Sequence, residues 1–182
     1  MSAYKFRVLI DTDKDEEIFR DIAIDPNDNF ESFYQTIISS FEFTGDQLAS
    51  FYGSNESWDK GQEVALMDMG MGNNEEVLLL MKETSVNELI KSTGDRLILV
   101  YDFLKMWCFL IELVEILPKP IYGPTLVLAV GDAPDENDKE VDFTQSMSGI
   151  PDLGNDIDDI FSDMDEDEED FGNFENIDDF DI

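Results

Sequence analysis

Residues 132–182 hold 21 acidic residues and a single basic one, Lys139, for a net charge of −20. A segment so charged resists collapse, because mutual repulsion opposes burial and too few apolar side chains remain to offset chain entropy. That feature divides the chain. Residues 1–131 keep 23 of the 44 acidic and 10 of the 11 basic residues, net −13. The sequence predicts a folded domain over 1–134, closing at Gly131-Asp132-Ala133-Pro134, and a disordered acidic tail over 135–182.

The total charge of −33 repels nucleic acid backbones and anionic membranes, so neither is an expected direct partner; a basic protein surface is. The most apolar stretch, Leu97 to Leu117, is interrupted by Asp102, Lys105, Glu112 and Glu115 and reads as core strands, not a bilayer span. The opening MSAYKFRVLI lacks a basic leader followed by a long apolar run, so the expected location is the cytoplasm.

Within the domain, Tyr4, Phe6, Val8 and Ile10 alternate with Lys5, Arg7 and Leu9, and Ile18, Ile22 and Ile24 keep the same period of two. The expected structure is a hairpin. Asp25-Pro26-Asn27-Asp28-Asn29 breaks it and offers helix caps. Phe30, Phe33, Tyr34, Ile37, Ile38 and Phe41 then trace the apolar stripe of an amphipathic helix. Strands are expected at Leu48–Tyr52, Val77–Met81, Arg96–Phe103, Trp107–Leu117 and Thr125–Val130, with loop from Glu56 to Asn74. Ser85 and Glu88 form a capping-box pair for a short helix through Ile90. The fold class is α+β: a small mixed or antiparallel sheet packed against one main amphipathic helix, followed by the tail.

The residues speak against catalysis. The chain has no histidine, the side chain best suited to proton transfer near neutral pH. Cys108 lies in an apolar strand without an activating base and reads as an inert core thiol. Asp102, between Tyr101 and Phe103, reads as an exposed or turn-capping carboxylate. The runs Asp11-x-Asp13-x-Asp15 and Asp163-x-Asp165-x-Asp167 open like calcium loops. They place Glu16 and Glu168 at the glycine position and Ile22 and Phe174 at the terminal glutamate position. No catalytic residue, metal ligand or cofactor is expected.

The tail carries the functional signal. Asp163 to Asp170 has seven acids in eight residues, one charge per ~3.8 Å of extended chain, close to the ~3.4 Å spacing of a nucleic acid strand. Asp165, Glu166, Asp167, Glu168, Glu169 and Asp170 are expected to steer toward a basic partner. Ile157, Ile160, Phe161, Phe171, Phe174, Ile177 and Phe180 are expected to anchor in its apolar pockets. Two Ile-Asp-Asp copies, at Ile157 and Ile177, repeat the pattern. A solubilising run has no need of those side chains.

Tyr101-Asp102-Phe103 followed by Trp107, and later Gly131, Pro134 and Glu136, resemble motifs of the plasmid pRiA4b ORF-3-like family, also labelled insertion-element passenger proteins. The likeness runs over about residues 4–136 and includes the early hairpin, the helix and the aromatic Phe41-Glu42-Phe43 segment with Leu48 and Phe51. The family's Tyr-Asp-Phe-Gly-Asp-x-Trp-x-His motif implies a strand–turn–strand. Its glycine, aspartate and histidine are Leu104, Lys105 and Phe109 in this chain, and a family His-Leu pair reads Gln47-Leu48. Any polar site built from those groups is not kept.

Two functions compete. In the first, the chain is a non-enzymatic interaction factor whose acidic-aromatic tail occupies a basic surface on a nucleic-acid-handling machine such as RNA polymerase, a nuclease or the ribosome, mimicking or excluding nucleic acid. In the second, the folded domain binds a small molecule or peptide and the tail only solubilises. An enzyme related to mobile elements rests on the family label alone. Convergent polar groups in a pocket around Asp102 and Trp107 would favour the second; a dry apolar core there would favour the first.

Overall fold

The computed structural model describes residues 1–70 and 77–139. In chain order these form β1 (Ala3–Ile10), β2 (Phe19–Ile24), α1 (Phe30–Ser40), β3 (Ala49–Ser54), β4 (Glu63–Ala65), β5 (Leu79–Leu80), a 3-10 turn (Val86–Glu88), β6 (Arg96–Tyr101), β7 (Trp107–Leu117) and β8 (Thr125–Val130). The strands make one eight-stranded sheet in the order β5-β4-β3-β6-β7-β1-β2-β8. The pairings are antiparallel apart from β4 with β5, which run parallel. The α+β reading therefore holds.

Alternation explains which face is buried. On β1, Tyr4, Phe6, Val8 and Ile10 point toward α1, while Lys5, Arg7 and Leu9 point away. The helix buries Phe30, Phe33, Tyr34, Ile37 and Ile38 against that face, with Phe41 buried just beyond its end. Phe33 stacks on Phe51 at 5.6 Å and packs on Phe6 at 4.8 Å. Asn29 caps the helix by accepting from the Ser32 amide at 2.9 Å. The first-turn amides of Phe30 and Glu31 donate to the carbonyls of Thr84 and Met81, so the segment after β5 completes the helix start. The Ser85–Glu88 capping box is present, on a single 3-10 turn.

Two readings change. The expected loop from Glu56 to Asn74 contains β4, because Tyr52, Phe51 and Ser50 pair with Glu63, Val64 and Ala65. The strand expected at Val77–Met81 shortens to Leu79–Leu80. Among the described residues no helix is long and apolar enough to cross a membrane.

Candidate functional site

β6 and β7 join through a tight turn that the Tyr-Asp-Phe…Trp motif builds. Asp102 adopts φ +60° and Met106 φ +56°, left-handed conformations that Asp tolerates because its carboxylate bonds locally. Its Oδ1 accepts from the amides of Leu104 at 3.0 Å and Lys105 at 3.2 Å. The Asp102 amide donates to Leu48 O, and Met106 N donates to Asp102 O. Asp102 is thus the turn cap of the two roles weighed for it, and it is buried.

The turn places Tyr101 and Trp107 as cross-strand partners, and both reach Glu136. The Tyr101 hydroxyl donates to Glu136 Oε2 at 2.5 Å. Thr44 donates its amide to Oε1 at 3.0 Å and its hydroxyl to Oε2 at 3.2 Å. The Trp107 indole donates to the Glu136 carbonyl at 3.1 Å, and Lys105 Nζ reaches that oxygen at 3.4 Å. Lys139 Nζ donates to Met106 O and lies 5.1 Å from the Trp107 ring. Burial pushes the Glu136 carboxyl up, but the Tyr101 and Thr44 hydrogen bonds together outweigh it and hold the group below the usual carboxylate range. Residues 135–139, read from sequence as the start of the tail, lie against the domain through these contacts.

Polar groups do converge around Asp102 and Trp107, yet they converge on the chain's own Glu136. Where the family motif has its histidine, Phe109 is fully buried and packs on Phe41 at 5.1 Å and Phe43 at 6.0 Å. Gln47 is exposed. The histidine positions of the motif are a core aromatic and a surface amide.

Sequence reasoning missed Arg20. It is 5% exposed and has no carboxylate partner among the described ion pairs. Its Nε donates to Ser40 O at 3.0 Å, and Nη1 reaches Phe19 O, Val130 O and Gly131 O at 2.9, 2.9 and 3.1 Å. One guanidinium therefore ties the helix C-terminus, where a cation is favoured, to the end of β8. Burial lowers its pKa. The clue was phase: Arg20 shares the parity of Ile18, Ile22 and Ile24. Gly131 follows β8 at φ +80°, and a Cβ there would stand 3.0 Å from Ile18 Cγ1 and 3.2 Å from Glu17 O. Glycine is required at that corner, which redirects the chain toward Glu136.

Among the described residues no α-helix packs on the face of the sheet away from α1. Arg7 and Asp21 form a bidentate pair at 2.9 and 3.0 Å, and Arg96 meets Glu112 at 3.4 Å. Cys108, read from the sequence as an inert core thiol, lies on this face, half-buried beside Val100; alternation on β7 sends Trp107 and Phe109 inward and Cys108 outward. Burial raises its thiol pKa. At the β3–β4 end the face hollows into a cavity of about 970 Å³. Ser50 Oγ donates to Glu63 Oε1 at 2.7 Å and Tyr52 Oη approaches the same oxygen at 3.5 Å. Burial, then the Glu63 charge, raises the Tyr52 pKa, so the phenol stays a donor.

The tail residues proposed as anchors and steering charges, from Ile157 to Phe180, and the Asp163 run lie outside the described residues. Among the described residues, no cluster of three His, Cys, Asp or Glu side chains is placed to hold a metal ion.

Comparison with known proteins adds two findings. Residues 2–177 match the family model described as plasmid pRiA4b ORF-3-like protein, a span that continues well past the 4–136 carried by the sequence motifs. A crystal structure of a protein of unknown function from Methanosarcina mazei Go1 has the same fold, with a TM-score of 0.63 and 17% identity over 81% of this chain and 80% of that one. No curated protein matches the chain.

Proposed function

The chain belongs to the plasmid pRiA4b ORF-3-like family, and from that premise we propose that it is a non-enzymatic, cytoplasmic interaction factor whose acidic-aromatic tail binds a basic protein surface. The partner is a nucleic-acid-handling machine such as RNA polymerase, and the tail excludes nucleic acid from it by charge and shape. The observation that carries this reading is the anchored root. Glu136 is held by three donors to its carboxylate and two to its carbonyl, and the 43 residues after Lys139 contain 17 acids and no Lys or Arg. With the domain docked on the partner, a fixed origin sets the effective concentration of the tail at its site.

The test is retention. The intact chain and a version ending at Gly149 are immobilised, and RNA polymerase core, a nuclease and ribosomes are passed over each at rising salt. The reading expects the intact chain alone to retain one of them, with retention falling steeply as salt rises. Equal retention by both versions contradicts it.

The cavity over Glu63 favours a second reading, in which the folded domain itself binds a small molecule or peptide.

A further inference from the structure

We infer that the open-face cavity takes an aliphatic cation: an ammonium or guanidinium head on an apolar stem. The inference rests on the second reading above, that the folded domain is a binder in its own right.

The floor dictates the head. Ser50 is 2% exposed, and its hydroxyl and that of Tyr52 both face Glu63 Oε1. That oxygen is supplied with donors and the carboxylate is oriented. Among the described residues Oε2 accepts no hydrogen bond, and the described ion pairs include neither Glu63 nor Asp68, both of which line the cavity. Among the described residues no lysine or arginine lines it. Lys60 is the near cation, 5.2 Å from the Tyr52 ring centre, and it joins none of those pairs. An anion would meet two lining carboxylates, with Lys60 outside the lining as the near cation. A neutral apolar ligand would dehydrate Oε2 without replacing its hydrogen bonds. A cationic donor completes the oxygen with a charge-assisted bond.

The walls dictate the stem. Met67, Met69, Val77 and Leu78 are 52, 46, 82 and 40% exposed and gather at this one cavity with Phe103. Unbranched thioether side chains adapt to a flexible alkyl chain. The combination of apolar rim and one oriented acceptor is the usual build of a small-ligand site, and about 970 Å³ lies at the upper end of such pockets. A lysine or arginine side chain of a protein and a free alkylamine share this chemistry.

The test uses the intact chain at moderate salt, following the Tyr52 ring and the Met67 and Met69 methyl resonances. n-Pentylamine, its neutral counterpart n-pentanol and the peptide Gly-Gly-Lys-Gly-Gly are titrated separately. The inference expects n-pentylamine to bind about tenfold or more tighter than n-pentanol, and Glu63→Gln to bring the two within about twofold. Tighter binding of the peptide than of the amine assigns the cation to a protein side chain; the reverse assigns it to a free amine. Equal affinity of amine and alcohol in the unmodified chain overturns the cation while leaving a binding cavity. No shift of these resonances with any of the three overturns both. The amine-to-alcohol comparison needs no variant, so it stands even if Glu63→Gln disturbs β4.

Discussion

Tyr101 and Glu136, 35 positions apart, share a hydrogen bond of 2.5 Å, and through it the motif on β6 holds the residue from which the acidic segment departs. The same phenol accepts from the Gly45 amide at 3.1 Å, so one hydroxyl links β6, the segment after α1 and the root of the tail.

Tyr101→Phe removes a donor to a carboxylate and an acceptor for Gly45 while keeping the ring contacts with Phe43. The expected loss is about 1.5–3 kcal/mol of unfolding free energy, the range for a hydrogen bond to a charged group. Urea denaturation of the variant measures it. An unchanged midpoint would mean that the anchor contributes nothing to the fold.

The anchor also titrates. Glu136 is held below the ordinary carboxylate value of 4.5 in the folded protein. A depressed folded pKa gives stability that is present above the unfolded value and is lost as pH falls through the folded one. The indole N–H resonance of Trp107 should therefore titrate with a midpoint below 4.5. In Glu136→Gln that low-pH movement should vanish. A movement that persists unchanged in the variant assigns the titration elsewhere.

Arg20→Met fills similar space with an apolar side chain and leaves four carbonyls without their donor. The expected cost is about 3 kcal/mol or more. Lysine should not rescue it, because a point ammonium cannot span donors that a planar guanidinium presents in two directions. Recovery of wild-type stability by Arg20→Lys, measured by thermal unfolding, would reduce the residue's role to its charge.

Much of this fold is legible in the sequence, and the reasons it is or is not are local. The stripe from Phe30 to Phe41 survives because all six residues bury against one sheet face, so tertiary packing agrees with the 3.6-residue period. Trp107–Leu117 appears as read because buried and less buried residues alternate along it, and Thr125–Val130, exposed along its whole length, because Gly123-Pro124 and Gly131 mark its ends. β4 is hidden because three residues cannot display a period; its register comes from β3, which is remote information. The cavity is hidden for the same reason, since Ser50, Tyr52 and Glu63 meet only once β3 and β4 pair. Arg20 carries the apolar parity of its strand, but a charged side chain in that phase is ordinarily turned out by desolvation cost, and only the carbonyls supplied by Ser40, Val130 and Gly131 reverse that. The motif residues Tyr101, Trp107 and Glu136 were visible; their meeting point was not.

The tail should act in two layers. Replacing Asp165 to Asp170 with Asn and Gln should slow association with a basic partner and flatten its salt dependence, because exposed charges act through long-range steering. Replacing Phe161 and Phe180 with Ala should leave the salt dependence alone and speed release, at about 1–3 kcal/mol for each anchor. Stopped-flow association and dissociation rates separate the two. Charge variants that change only the dissociation rate would contradict the division.

Competition tests the central claim most directly. RNA polymerase core loaded with fluorescent duplex DNA is titrated with the intact chain and, in parallel, with the version ending at Gly149. The account predicts that the intact chain displaces the DNA, that displacement weakens as salt rises, and that the shortened version displaces none. Equal displacement by both versions, or displacement by neither, would contradict it.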